Sequence, residues 1–151
     1  MNKMTPFLWY DGNVAEAMEL YRSVFPSSKV LNKLSGPDGS LMGATFELDG
    51  QRFIAFNGGP NLKLTPAVSM YINCDTQDEV DELWTKLTEG GAESQCGWLV
   101  DRFGLSWQII PSILPELLGD PDRDKAGRAM QAMLTMRKID IAALKQAAGG
   151  E

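Results

Sequence analysis

The side chains of this chain that could do chemistry are mostly aromatic, and most stand on predicted strands. They are Phe7, Trp9, Phe46, Phe56, Tyr71, Trp98 and Trp107. Strand alternation sends some rings into the core and others to the opposite face of a sheet, and both positions stay open for each ring. Large rings around a few polar groups suit a flat or apolar small molecule, because they bury it at low entropic cost.

Three amide side chains could orient such a ligand. Gln108 stands between Trp107 and Ile109, where it either faces a cavity or bonds to neighbouring backbone. Asn57 and Asn73 stand at strand ends, where they either reach the mouth of a cleft or stabilise a turn.

Other reactive groups lack the partners that catalysis needs. Cys96 has no histidine to stabilise its thiolate, so a structural thiol is expected. Asp101 and Arg102 stand in a predicted hairpin turn, which favours a solvated or turn-capping role. Glu47 and Asp49 share one hairpin, and nothing in the sequence makes them converge across a cleft for acid–base work. The sequence therefore identifies no catalytic residue.

The composition excludes several classes of function. The chain has 151 residues, a net charge of −6 and no Lys/Arg cluster, so nucleic acid is not an expected partner. It has no histidine, which removes serine-hydrolase triads and most zinc sites. No apolar run approaches the roughly 20 residues of a membrane span, and Met1–Tyr10 lacks a signal-peptide pattern. We expect a cytoplasmic protein with two free cysteines and no membrane partner.

A strand-then-helix pattern occurs twice and predicts two related halves. A strand over 5–10 and a helix from about 14 to 25, with Asn13 as its cap, correspond to a strand over 67–74 and a helix over about 76–88. Each half continues with a predicted hairpin, one formed by 41–48 and 52–56 around Asp49-Gly50 and the other by 95–100 and 105–110. A short strand over 30–34 precedes the first hairpin. A duplicated half indicates a cleft that binds a ligand.

The tail is predicted to be helical. A short helix over 113–118 precedes a helix started by Asp120-Pro121, and Asp140 is a predicted N-cap for a last helix over 141–147. Met130, Met133 and Leu134 form an apolar stripe that either packs internally or covers a ligand.

Several contiguous motifs closely resemble the PhnB-like family of the vicinal-oxygen-chelate superfamily, which includes glyoxalases, bleomycin-resistance proteins and dioxygenases. The family is often labelled as related to 3-demethylubiquinone 3-methyltransferase. The motifs are Asn57-Gly58-Gly59-Pro60, 65–69, Asn73-Cys74-Asp75, 96–99 and 101–108. The resemblance runs from Met4 to about Ala147. It implies one α+β domain over 1–151, with paired βαβββ modules at about 4–58 and 65–111, curved mixed sheets enclosing a cavity, a helical extension at about 113–148, and a homodimer.

The superfamily's metalloenzymes hold a divalent metal with His, Glu or Gln, and the resemblance implies which positions of this chain are comparable to those ligands. The comparable positions are near Pro6 or Phe7, near Ala67 or Val68, near Ala55 or Phe56, and at Gln108. Only Gln108 can ligate, and one neutral oxygen does not hold such a cation against water, so we expect no metal or other cofactor. The methyltransferase label is also doubtful, because the only glycine-rich candidate for a cofactor loop, 57–60, is better explained as a linker.

The sequence leaves three functions open. The leading one is a metal-independent homodimer that binds a small organic molecule. A second is an isomerase, lyase or transferase whose Gln108, with Asn57 or Tyr71, donates hydrogen bonds to an oxyanion. A third is an interaction module that docks through its Met-rich helix. The predicted ligand-binding residues are Gln108, Trp107, Phe56, Asn57, Tyr71, Trp9 and Trp98.

Overall fold

The computed structural model describes residues 2–150, which divide into two compact units at Thr65/Pro66. Each unit carries the order strand, helix, three strands, as the predicted duplication requires. None of the helices in the described part of the chain is long and apolar enough to cross a membrane.

The first unit is a four-stranded sheet with one helix packed on it. Its elements are β1 (Phe7–Tyr10), α1 (Val14–Val24), β2 (Ser28–Ser35), β3 (Leu41–Leu48) and β4 (Gln51–Asn57). The strand order is β1-β4-β3-β2, with β1 parallel to β4 and the other pairs antiparallel. Asp49 and Gly50 both have positive φ, at 49° and 82°, which is the backbone of the tight hairpin turn that the sequence predicts.

The second unit repeats this plan. Its elements are β5 (Ser69–Cys74), α2 (Gln77–Thr88), β6 (Ala92–Glu93), β7 (Trp98–Val100) and β8 (Ser106–Pro111). The strand order is β5-β8-β7-β6, and β5 is parallel to β8. Thr76 caps α2 by accepting a hydrogen bond from the Glu79 N–H.

Two strands of the second unit are shorter than predicted. Pro66 and Ala67 form a turn, so β5 begins at Ser69 and not at residue 67. Cys96 and Gly97 have positive φ values of 59° and 84°, which take them out of the extended region and delay β7 to Trp98. The two-residue strand β6 has no periodic signal in the sequence, and only the βαβββ module that the family resemblance implies calls for it.

Three helices complete the second unit: α3 (Ile113–Leu118), α4 (Arg123–Leu134) and α5 (Ile141–Gly149). They share a core with the end of β8, formed by Ile110, Leu114, Leu117, Ala129, Ile139, Leu144 and Ala148. Asp140 caps α5 through the Ala143 N–H, as predicted. The predicted start of α4 at Asp120-Pro121 is wrong, because Asp122 accepts from Asp124 N and Lys125 N and is itself the N-cap.

The side chain of Gln77 ties these helices to α2. Its Nε2 donates to the carbonyl oxygen of Ile139 at 3.0 Å, and its Oε1 accepts from the N–H of Ile141 at 2.8 Å. Nearby, Lys138 lies 2.9 Å from Asp81. The link between Ile139 and Ile141 is therefore bound to the first turns of α2.

Candidate functional site

Gln108 lies in the middle of a row of three side chains that crosses the second sheet. The strand register pairs Gln108 with Tyr71 on β5 and with Trp98 on β7. Side chains in one such row point to the same face of a sheet. Tyr71 is 47% exposed, and Gln108 and Trp98 are partly buried. Three predicted ligand-binding residues therefore stand side by side, and we call them the Gln108 row.

The amide of Gln108 is held by a side chain and not by backbone. Its Nε2 donates to Ser69 Oγ at 2.9 Å, and Ser69 lies on β5 two residues before Tyr71. Burial raises the pKa of the Tyr71 hydroxyl above its usual value of 10.0, so this phenol is neutral near pH 7. The Gln108 row is consequently an uncharged surface with two aromatic rings and one amide.

Trp107 lies on the opposite face of the same sheet. It is 1% exposed, and its Nε1 donates to Asp101 Oδ2 at 2.9 Å. Because neighbouring residues of a strand alternate between faces, Trp107 and Gln108 cannot line the same surface. The structure therefore places Trp107 in the core, apart from the Gln108 row.

Asp101 stabilises the turn of the hairpin formed by β7 and β8. Its Oδ1 accepts hydrogen bonds from the backbone N–H groups of Phe103 and Leu105, and its side chain is almost fully buried. The predicted turn-capping role is confirmed, while the solvated alternative is wrong. Asp101 thus supports the sheet through both the turn and Trp107.

An aromatic cluster lies on one face of the first sheet. Trp9 and Phe56 are partners in the β1–β4 register, with ring centroids 5.7 Å apart at 64°, and Phe7 lies 5.9 Å from Phe56. Phe7 is 55% exposed. We call Phe7, Trp9 and Phe56 the Phe56 cluster; it brings together two predicted ligand-binding residues, Trp9 and Phe56.

The glycine-rich segment 57–60 holds the Trp9 ring in place. The indole Nε1 donates to the carbonyl oxygen of Gly59 at 3.0 Å, and the ring lies so close to Gly58 that a Cβ there would overlap it. No helix follows this segment, so it lacks the loop-before-helix arrangement of a nucleotide-type cofactor site. Gly58 therefore serves close packing, whereas Gly59 has a positive φ of 98° and a Cβ there would meet nothing within 4 Å.

Asn57 has a structural position. Its Oδ1 accepts from the N–H of Val14 at 3.1 Å, and its Nδ2 donates to the carbonyl oxygen of Leu41 at 3.1 Å. Asn57 therefore supplies the cap of α1 that the sequence assigned to Asn13, whose side chain makes no capping bond. Its oxygen is engaged and one Nδ2 hydrogen bonds to Leu41, while the second Nδ2 hydrogen is not used by these two bonds.

The two cysteines are both free thiols, as predicted. Cys74 is fully buried, and burial, followed by the charges of Glu79 and Asp75, raises its pKa to about 12. Cys96 is partly buried in the turn before β7. A neutral thiol at Cys74 is a poor nucleophile.

Two surface depressions lie outside the predicted site. One, of about 260 Å³, is lined by Asn2, Met4, Thr5, Glu47, Gly50, Gln51 and Arg52. The other, shallow and about 850 Å³, is lined by Arg123, Asp124, Gly127, Arg128, Gln131, Ala132, Ala147 and Gly150. Neither contains a predicted ligand-binding residue, so these depressions do not mark the Gln108 row or the Phe56 cluster.

The family described as 3-demethylubiquinone-9 3-methyltransferase matches residues 2–110. This chain belongs to that family. The match ends before α3, so the C-terminal helices of this PhnB-like protein lie outside it. No curated protein sequence matches the chain significantly.

Solved structures agree with this assignment. A PhnB protein of Bacillus cereus is 32% identical, with a TM-score of 0.69 over 74% of this chain and 100% of its own. Protein PA1353 of Pseudomonas aeruginosa is 20% identical, with a TM-score of 0.63 over 74% of this chain and 98% of its own. The fosfomycin resistance protein FosX of Listeria monocytogenes is 14% identical, with a TM-score of 0.61 over 79% and 98%. The last two show the fold alone, which is an α+β fold.

The registers give the strand partners of two expected metal positions of this PhnB-like chain. Phe7 pairs with Ile54, and Gln108 pairs with Tyr71. Ala67 and Val68 precede β5, which begins at Ser69.

The four side chains of these two register pairs do not fit a divalent cation. Two are hydrocarbon, one is a neutral phenol and one is a neutral amide. Within residues 2–150, no group of three or more His, Cys, Asp or Glu side chains could hold a metal.

Proposed function

We propose that this PhnB-like protein binds a small organic molecule without a metal, and that the Gln108 row is the polar part of its site. The observation that carries the proposal is the register Tyr71–Gln108–Trp98. Strands lie about 4.8 Å apart, so the amide stands within one ring's width of both aromatic side chains. A flat ligand can contact a ring while a polar atom at its edge meets the amide.

The Phe56 cluster of the first unit is a separate aromatic surface. Its rings are arranged edge to face and tilted, and Phe7 exposes more than half of its surface. Exposed aromatic rings grouped in this way are more typical of ligand or partner contact than of a folded core. We propose Phe7, with Trp9 and Phe56, as the contact residues of this separate surface.

Metal independence is part of the proposal and follows from the side chains at the four expected positions. A neutral ligand is then held by dispersion, apolar burial and the hydrogen bonds of Gln108. Elemental analysis of protein purified without chelators should find clearly less than one divalent metal per chain. A tightly held equimolar metal would contradict this part.

A cytoplasmic homodimer is the proposed form of the protein. The family resemblance supports this assembly, and light scattering after size-exclusion chromatography should give twice the 16.6 kDa chain mass. A concentration-independent monomer would contradict the dimer and leave the ligand proposal untouched.

A thermal-shift screen with uncharged aromatic compounds tests the ligand proposal. A ligand at about 100 times its Kd adds roughly 2.7 kcal/mol of stability and raises Tm. The screen should be run on wild type, Gln108→Ala and Gln146→Ala, because Gln146 is an exposed glutamine on α5 that makes a matched control. We expect hits whose shift shrinks only in Gln108→Ala; the same shift in all three proteins would contradict the site.

A further inference from the structure

The face of the second sheet that carries the Gln108 row has no charged side chain on its strands. Register and alternation assign to this face Ser69, Tyr71, Asn73, Ala92, Trp98, Val100, Ser106, Gln108 and Ile110. A carboxylate brought to this face would lose water and find no cation on it. An uncharged ligand avoids that cost.

One hydroxyl on this face has no hydrogen-bond partner. Ser106 is 1% exposed, and its Oγ makes no hydrogen bond within the described residues. A buried polar atom without a partner costs free energy, so such atoms are rare in folded proteins. The unpartnered Ser106 hydroxyl therefore lowers the stability of the free protein.

Ser69 connects this hydroxyl to Gln108. Ser69 is the register partner of Ser106 on the neighbouring strand, and its Oγ accepts the hydrogen bond of Gln108 Nε2 at 2.9 Å. Serine pairs on adjacent strands are close enough for their hydroxyls to bond to each other after a change of rotamer. In the rotamer that accepts from Gln108 Nε2, Ser69 Oγ makes no bond to Ser106 Oγ, and a rotamer that turns it toward Ser106 turns it away from Gln108.

We propose that ligand binding exchanges these hydrogen bonds, and that the ligand group is the carbonyl oxygen of an uncharged aromatic compound. This inference rests on the proposed function. The carbonyl takes the Nε2–H of Gln108 that the free protein directs at Ser69. Ser69 then turns to Ser106, whose hydroxyl gains a partner. In the bound state Gln108 Nε2, Ser69 Oγ and Ser106 Oγ all have hydrogen-bond partners. In the free state Ser106 Oγ has none among the described residues.

The test compares three naphthalenes substituted at the same ring carbon: methyl naphthyl ketone, ethylnaphthalene and naphthoate. They share one aromatic body and differ in having a neutral acceptor, no acceptor or a negative charge. We expect the ketone to bind about tenfold more tightly than either of the others, measured by Trp fluorescence or calorimetry.

Ser106→Ala separates the exchange from simple contact. It removes the unpartnered hydroxyl, so we expect a higher Tm for the free protein together with a several-fold weaker affinity for the ketone and unchanged affinity for ethylnaphthalene. Ser94→Ala, an exposed serine of the same unit, is the control and should change neither quantity.

The outcomes distinguish the two proposals. Equal affinity for all three compounds, or preference for naphthoate, would overturn the carbonyl inference and leave the proposed function standing. A lower Tm for Ser106→Ala, including failure to fold, would overturn the exchange. Absence of binding by all three compounds would contradict both proposals.

Discussion

Ser69 and Gln108 are joined across β5 and β8 by a 2.9 Å hydrogen bond between Ser69 Oγ and Gln108 Nε2. This bond fixes the amide between Tyr71 and Trp98 in the register of the sheet. The position at which the family resemblance implies a metal-ligating side chain thus carries a neutral group that can donate and accept hydrogen bonds. The proposed function depends on this amide and not on a metal.

Gln108→Ala should weaken ligand binding with little effect on folding. The variant removes one hydrogen bond to the ligand, worth about 1 kcal/mol, or somewhat less than tenfold in Kd. Its partner Ser69 is partly exposed and can bond to water. Urea unfolding measures the effect of the variant on stability, and ligand titration on the same preparations measures its effect on affinity. A large loss of stability with unchanged affinity would assign Gln108 a structural role.

Trp107→Phe should lower stability and leave ligand binding unchanged. It removes the indole donor to the buried carboxylate of Asp101, so we expect the unfolding free energy to fall by about 1.5–3 kcal/mol. Ligand selectivity should stay unchanged, since Trp107 faces the core. Trp98→Phe is the matched control on the Gln108 row: its smaller stability loss should accompany weaker binding. If Trp107→Phe alters ligand selectivity at full stability, our placement of this ring fails.

Gly58→Ala should displace the Trp9 ring. An added Cβ overlaps the indole, so we expect a loss of about 1–3 kcal/mol and a changed tryptophan fluorescence spectrum. Gly127→Ala is the control, because a Cβ at that helical position meets nothing within 4 Å and should stabilise the protein by up to about 1 kcal/mol. Equal behaviour of the two variants would argue against close packing at Gly58.

Only one cysteine should react with a thiol reagent near pH 8. The pKa of Cys74 is raised to about 12, so its folded-state thiol stays protonated well above pH 8, and it is also inaccessible. Partly buried Cys96 should account for the reaction. We expect about one equivalent in the native protein, two in urea, and almost none in native Cys96→Ser. Rapid modification of two thiols in the native protein would contradict the burial of Cys74.

Gln77→Ala should loosen the C-terminal helices. The variant loses the hydrogen bonds to Ile139 and Ile141, at a cost of about 1–2 kcal/mol. It should also raise the pKa of Asp81, because the Gln77 hydrogen bond is the main cause that lowers it, ahead of Lys138. Hydrogen exchange should accelerate at the Ile141 amide and along α5. Unchanged exchange there would show that the apolar core of the helices suffices to hold them.

The fold was predictable from sequence wherever a local rule decides the structure. Asp49-Gly50 fixes its own turn, so the predicted bounds of β3, Leu41–Leu48, agree with the structure. Asp140 caps α5 for the same local reason. Ala17, Leu20, Tyr21 and Val24 stand at helical spacing in the sequence, and they lie on the buried face of α1.

The site was less predictable because it depends on which face each strand residue takes and on distant partners. The sequence grouped Trp107 with Gln108, although alternation separates them and a hydrogen bond to Asp101 holds Trp107 in the core. Asn57 was a ligand-binding candidate, yet its partners Val14 and Leu41 are far away in sequence. The strand register and the contacts between distant residues decide whether a side chain faces a ligand. Composition and residue spacing do not specify them.

The most direct test of metal-free ligand binding at the Gln108 row is calorimetric titration of the strongest thermal-shift hit into chelator-treated protein. We predict the same Kd with and without the chelator in wild type, and a Kd several-fold higher in Gln108→Ala than in Gln146→Ala. Binding that appears only after a divalent metal is restored, or a Kd that is equal in the two variants, would contradict it.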